Sequence, residues 1–321
     1  MPEHRDLNAG CKFVFVLSVV CGCLLLFPIK VFPDNRPNTF TFNDTYAAEV
    51  VGEEQAKDSC KLKVFTLRIA DKKTNEVAHV MIGGIGERIR SIKNLHLFEN
   101  NKLVVHGNLE RADIIYVVEC KAHKVLDMFW CYDPLLIPSN RFWVYEKFYP
   151  YHGLKSIQST VVLVYDMDRT PLENRVPVEG YTEWPKVQVG LPIYPKPYVD
   201  AKTYVLPRQQ QENPFWYLRS SPFLWSADGN DVVFLCNHEK QTYIVRVNIS
   251  AGVDKPRIFE APVNVGNFVK PELPEEYRKK EAARLHTVSA TEIIWDGKDH
   301  VLVKPDKAYF TLQDKIRLPV P

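Results

Sequence analysis

The 321-residue sequence has little excess of either charge: 41 basic against 39 acidic side chains leave a formal net charge of +2. A nucleic-acid surface usually carries a larger or more segregated basic excess, so no nucleic-acid partner is expected. Cysteine is sparse and scattered. The seven present include no CxxC pair, which argues against zinc-ribbon and thioredoxin-like readings. The chain also lacks a G-x-S-x-G nucleophile elbow, an H-E-x-x-H helix, a C-x-x-C-H haem site and a Walker A loop. Gly83-Gly84-Ile85-Gly86 has neither G-x-G-x-x-G spacing nor a capped helix after it, and reads as a glycine hairpin. Asp166, Asp168 and Glu173 fit no EF-hand loop, and the histidines share no helical face. No catalytic, cofactor-binding or metal-ligating residue is therefore assigned, and the chain reads as a non-enzyme.

What is present begins at the N-terminus. After a tail of residues 1–12, Phe13 to Ile29 is an uncharged run, extended past Lys30 by Val31 and Phe32. About seventeen apolar residues is the lower limit for crossing the hydrocarbon core. A helix of a globular domain would show a polar face, and this run shows none. Residues 13–32 are thus read as a single transmembrane anchor, with a cleaved signal peptide and a lipobox ending at Cys23 as the rivals. Flanking basic residues tie, Arg5 and Lys12 before the run against Lys30 and Arg36 after it. The short tail and large C-terminal body favour a periplasmic or other extracytoplasmic body.

Residues 33–59, rich in Pro, Asn, Thr and acids, read as a tether. From Cys60 the pattern turns to short alternating strands, at 62–69, 102–106, 113–119, 141–147, 160–165, 231–236, 242–249, 290–295 and 300–304. These segments are rich in Val, Ile, Tyr, Phe and Trp, as half-buried strands require. Residues 60–321 are expected to form one all-β domain, interrupted by a proline-rich excursion over 168–222 with room for one irregular strand pair. The one convincing helix lies near 274–284, with Pro274, Glu275 and Glu276 at its start and cations toward its end. Cys120 and Cys131 are either a disulfide pair or buried thiols.

Three segments share one grammar: apolar strand, tight turn, alternating strand. They are Pro134–Asn140 before Phe142–Tyr145, Ser221–Gly229 before Asp231–Leu235, and Thr291–Gly297 before His300–Val303. Asp and Asn bond their own backbone in such turns, and Gly takes positive φ. Ile137, Trp225 and Trp295 are placed to pack between neighbouring sheets. A fourth unit spans Leu95–Asn101 before Leu103–Val105. Trp225-Ser226-x-Asp228-Gly229 followed by Val-x-Phe resembles the repeat of TolB-type and WD40-like β-propellers of bacterial envelope proteins. The resemblance implies an all-β, propeller-like fold of repeated antiparallel sheets, complete or incomplete, behind the anchor.

That combination implies an interaction module, an accessory or scaffold subunit docking on a membrane protein complex. The alternative is an envelope enzyme or a carbohydrate- or ligand-binding protein with its site at the propeller mouth. Aromatic residues dominate interfaces as well as cores. Trp184, Tyr194, Tyr198, Phe215, Trp216 and Tyr217 of the excursion are the expected partner contacts.

Overall fold

The computed structural model describes residues 39–55, 63–83, 89–109, 112–137, 141–149, 159–179, 187–200, 204–205, 217–306 and 311–321. The tail, the apolar run 13–32 and Cys23 lie outside them. Among the described residues no helix is long and apolar enough to cross a membrane.

Period-two alternation organises the body into antiparallel layers. The first is a meander of β1 (Phe40–Phe42), β2 (Tyr46–Gln55), β3 (Lys63–Asp71) and β4 (Val77–Gly83), hydrogen-bonded in chain order. Asn43 closes its first turn, its side-chain oxygen accepting the N–H groups of Thr45 and Tyr46 at 2.9 and 2.8 Å. The tether expected over 33–59 is corrected over residues 40–55, where β1 and β2 are integral strands, and its remaining residues, except 39, lie outside the described residues. Ala47, Ala48, Glu49, Glu53 and Glu54 carry little strand propensity. Tyr46 and Ala48 are nevertheless buried under β3 and its neighbours, and that contact decides the conformation.

The second layer is β5 (Ser91–Leu97), β6 (Lys102–Asn108), β7 (Asp113–Glu119) and the front of β8 (Lys124–Leu136). β8 does not stop at the layer's edge. Its register shifts between Tyr132 and Leu135, where Asp133 takes φ 45°, and its last residues pair with β9 (Phe142–Tyr149) instead. The bend folds one seven-stranded sheet into two faces. Its far half, the third layer, adds β10 (Ser159–Asp166).

Two strands of the excursion, β11 (Arg175–Glu179) and β12 (Val187–Val189), form the anticipated irregular pair. The next, β13 (Leu191–Tyr194), belongs to the body: it is the edge strand beside β10, where the missing N–H of Pro192 is tolerated. A single helical turn α1 (Lys196–Val199) and β14 (Tyr204–Val205), parallel to β11, follow.

The fourth layer is β15 (Leu218–Arg219), β16 (Leu224–Trp225), β17 (Asp231–His238), β18 (Gln241–Asn248) and β19 (Arg257–Pro262). A 3-10 turn (Val265–Phe268) and helix α2 (Glu275–Arg284) lead to the fifth, β20 (Ala290–Trp295), β21 (His300–Pro305) and β22 (Ile316–Pro319). The Asp-Gly turns fall where the sequence puts them, with Gly229 at φ 70° and Gly297 at φ 78°. The Ser139-Asn140 turn lies outside the described residues, but its flanking strands pair as a hairpin.

Four apolar clusters fill the spaces between successive layers. Ile137 and Trp225 are both buried in the cluster between the third and fourth layers, as their place before a turn suggests. Trp295 Nε1 donates to the Trp225 carbonyl at 2.7 Å, tying the fifth layer to the fourth. Among the described residues no cluster joins the first layer to the fifth.

The layering also decides between the two readings of Cys120 and Cys131. Cys120 packs between the first and second layers, Cys131 between the second and third. They occupy opposite faces of one sheet and are free buried thiols, so no disulfide can join them.

Candidate docking surface

The inward residues of the first layer, Phe65, Leu67, Ile69, Val80 and Ile82, are fully committed to the core. Alternation sends the residues between them outward, onto a face that no other layer among the described residues covers. On that face Phe42 is 64% exposed, Met81 72%, Phe40 43% and Val77 45%; Val51, the unpaired bulge residue of β2, is 48% exposed. These five account for half of the exposed large hydrophobic residues described, and they occur within 42 positions of the chain. Single exposed apolar residues are ordinary; a contiguous set marks an interaction surface.

Strand register arranges them in rows. One row across the four strands reads Phe42, Ala47, Ala70, Val77. The next reads Phe40, Glu49, Arg68, His79, and the one after it carries Gly52, Thr66 and Met81. Large apolar side chains therefore stand at the two edges, β1 and β4, and small or charged ones in the middle. Arg68 Nη1 donates to Glu49 Oε1 at 2.7 Å, and both side chains are about one-third exposed (33% and 37%). The Lys72 ammonium sits 4.7 Å from the centre of the Phe42 ring, and Phe40 and Phe42 are 5.9 Å apart.

The aromatic residues expected as anchors are elsewhere. Tyr194 is 1% exposed: it packs edge-on against Tyr217 and Phe234, and its hydroxyl donates to Glu260 Oε1 at 2.8 Å. Burial pushes its phenol pKa far up. It is a core residue of the third layer, which corrects its assignment as a partner contact. Tyr217 is half-buried and stacks on His238 at 3.9 Å. Tyr198 lies in α1, and Trp184, Phe215 and Trp216 lie outside the described residues.

Several buried charged groups elsewhere are held by structural partners. Arg141 holds Asp166 through Nε and Nη2 at 3.1 and 3.0 Å, and the Asp166 N–H donates to Asn174. Arg175 clamps Asp127, which also accepts from the Tyr165 hydroxyl at 3.2 Å. Glu146 and Arg219, both nearly inaccessible, pair where the third layer meets the fourth. Burial raises the Glu146 pKa, and Arg219 opposes that shift. Glu173 caps its own turn at Thr170. The Arg141–Asp166, Arg175–Asp127 and Glu146–Arg219 pairs join residues 25, 48 and 73 positions apart.

Sequence reading missed the docking face because it placed Phe40 and Phe42 in a tether. The signal was present in Val77-Ala78-His79-Val80-Met81-Ile82, apolar at nearly every position rather than at every second one. Such a strand has apolar residues on both faces and calls for a cover on each.

No family model matches the chain, and no curated protein matches it. Among solved structures it is similar to prolyl endopeptidases at 10% identity, with a TM-score of 0.36, over 86% of this chain and 34% of that one. The β-propeller domain of the Trilobed protease from Pyrococcus furiosus, of open velcro topology, aligns at 10% identity and TM-score 0.33, over 86% of this chain and 65% of that one. TolB from Acinetobacter baumannii gives 12% and 0.20, over 79% and 59%. The chain spans less than two thirds of each of these proteins, and TM-scores this low carry no argument about activity.

Proposed function

We propose that this protein is a membrane-anchored, propeller-like β module that works by binding. It docks as an accessory or scaffold subunit on a membrane protein complex at the extracytoplasmic face, and the outer face of β1–β4 is its contact surface. The observation that carries the reading is the concentration of exposed apolar side chains on that one face.

The uncharged run 13–29, extended past Lys30 to Phe32, supports the anchor. Only residues 33–39 separate it from Phe40, and at roughly 3.3–3.6 Å per residue that connector reaches about 25 Å at most. The first layer is therefore the part of the body held nearest the bilayer, where subunits of a membrane complex would meet it.

The test is affinity isolation of the tagged full chain from detergent-solubilised membranes. Phe42→Asp/Met81→Asp should lower the recovery of co-purifying membrane proteins at least tenfold while the chain keeps its wild-type β-sheet circular dichroism. Undiminished recovery rejects this face. Digestion of the body by protease added to intact spheroplasts is the expected result for orientation, and full protection rejects an extracytoplasmic body.

A further inference from the structure

We infer that the occupant of the β1–β4 face is the same face of a second copy, related by a two-fold axis that runs parallel to the strands. The inference rests on reading this face as a docking surface and names its partner.

The register carries the argument. A two-fold axis lying between two facing sheets, parallel to the strands and midway between β2 and β3, keeps each row at its own height and exchanges its left and right ends. Phe42 then lies over Val77 of the other copy, and Ala47 over Ala70. In the next row Phe40 lies over His79, and Glu49 over Arg68. In the first of these rows an apolar edge covers an apolar edge and alanine faces alanine, and in the second the central acid meets the central base. Sheets pack face to face at about 10 Å, which suits small central side chains flanked by large ones. A two-fold contact must be self-complementary in this way, because the same patch serves both partners.

Chain direction selects this axis over its alternative. An axis in the interface but across the strands would set β1 over β1 and send the two N-terminal connectors in opposite directions. The axis along the strands sends both connectors out of the same end of the pair. Two anchors leaving side by side can enter one bilayer, and two leaving from opposite ends cannot.

The test uses the full chain in detergent. Wild-type protein should have the mass of two chains by light scattering with the detergent subtracted. Glu49→Arg, which sets cation against cation in both copies, should give the mass of one chain, and Glu49→Arg/Arg68→Glu should restore two. Register is read by co-expressing differently tagged Phe42→Cys and Val77→Cys chains and quantifying the 42–77 disulfide by mass spectrometry. It should exceed the 42–42 and 77–77 disulfides of the separately expressed variants at least tenfold.

A single-chain mass for the wild type, or a 42–77 yield no higher than the 42–42 yield, overturns the proposal. If the wild type is a single chain while Phe42→Asp/Met81→Asp still releases other membrane proteins, self-pairing fails and the docking surface stands.

Discussion

The space between the second and third layers and the outer face of the first layer are built from the same strand chemistry and end in opposite conditions. In the former, Phe129 is stacked between Tyr145 and Tyr165 at 5.0 and 5.1 Å, and the layers close over all three rings. In the latter, Phe40 and Phe42 stand 5.9 Å apart, and no layer among the described residues lies above them. Both arise from alternating aromatic and β-branched residues. What separates them is position in the stack: an interior layer has two neighbours, and the first has one. An apolar alternate face is thus a core inside the stack and an interface at its end.

Paired aromatic deletions break this comparison most sharply. Phe129→Ala should cost about 3–5 kcal/mol, the lost transfer energy plus the cavity left between two rings. Phe42→Ala, measured on the dissociated chain, should fall within about 0.5 kcal/mol of wild type. Urea denaturation of the two variants checks both, and similar losses would mean that the first layer is covered within one chain.

Ion pairs give the next contrast. Arg219, nearly inaccessible, serves Glu146, Asp133 and the Ser221 carbonyl. Arg219→Ala strands a buried carboxylate and should cost about 3 kcal/mol. Arg68→Ala opens a pair in contact with water and should cost under about 1 kcal/mol in the dissociated chain. Chemical denaturation distinguishes them, and a mild Arg219→Ala would show that water reaches that joint.

The last contrast is a pH dependence inside the stack. Burial holds the Lys147 pKa down to about 8, below its unfolded value of about 10.4. Below about pH 8 both states carry the proton, and the cost of burying the cation is fully present. Between about 8 and 10.4 the folded state loses the proton first, so this contribution to stability rises with pH. Lys147→Met should therefore melt higher than wild type at pH 7, with the advantage shrinking toward pH 10. A constant difference across that range would place the lysine head in water.

Strands β7 and β20 were legible residue for residue: Ile114–Val118 is an unbroken β-branched and aromatic run, and Ile293, Ile294 and Trp295 stand directly before an Asp-Gly turn. The hairpins at Asp228-Gly229 and Asp296-Gly297 were legible because positive φ at the second position nearly demands glycine. Helix α2 was marked by the proline and acids that open it. β1 and β2 were not legible: Phe-Thr-Phe is too short to show a period, and Ala-Ala-Glu has no strand preference of its own. Their conformation comes from Tyr46 and Ala48 reaching the shared core, a contact with residues tens of positions away. The docking face was hidden for the same reason, since a segment read as a tether has no faces.

Local backbone chemistry settles what depends on neighbours a few residues away. The sequence alone therefore determined the β class, the tight turns, the one good helix and an uncharged run long enough to reach across a bilayer. Which apolar faces end up covered was decided by the tertiary structure. Tyr194 and Phe42 both stand on short edge strands; one is sealed beneath the fourth layer, and the other stands open at the end of the stack. Burial is a property of what lies opposite a side chain, and the chain's order of layers, not the residue's own pattern, supplies the opposite wall.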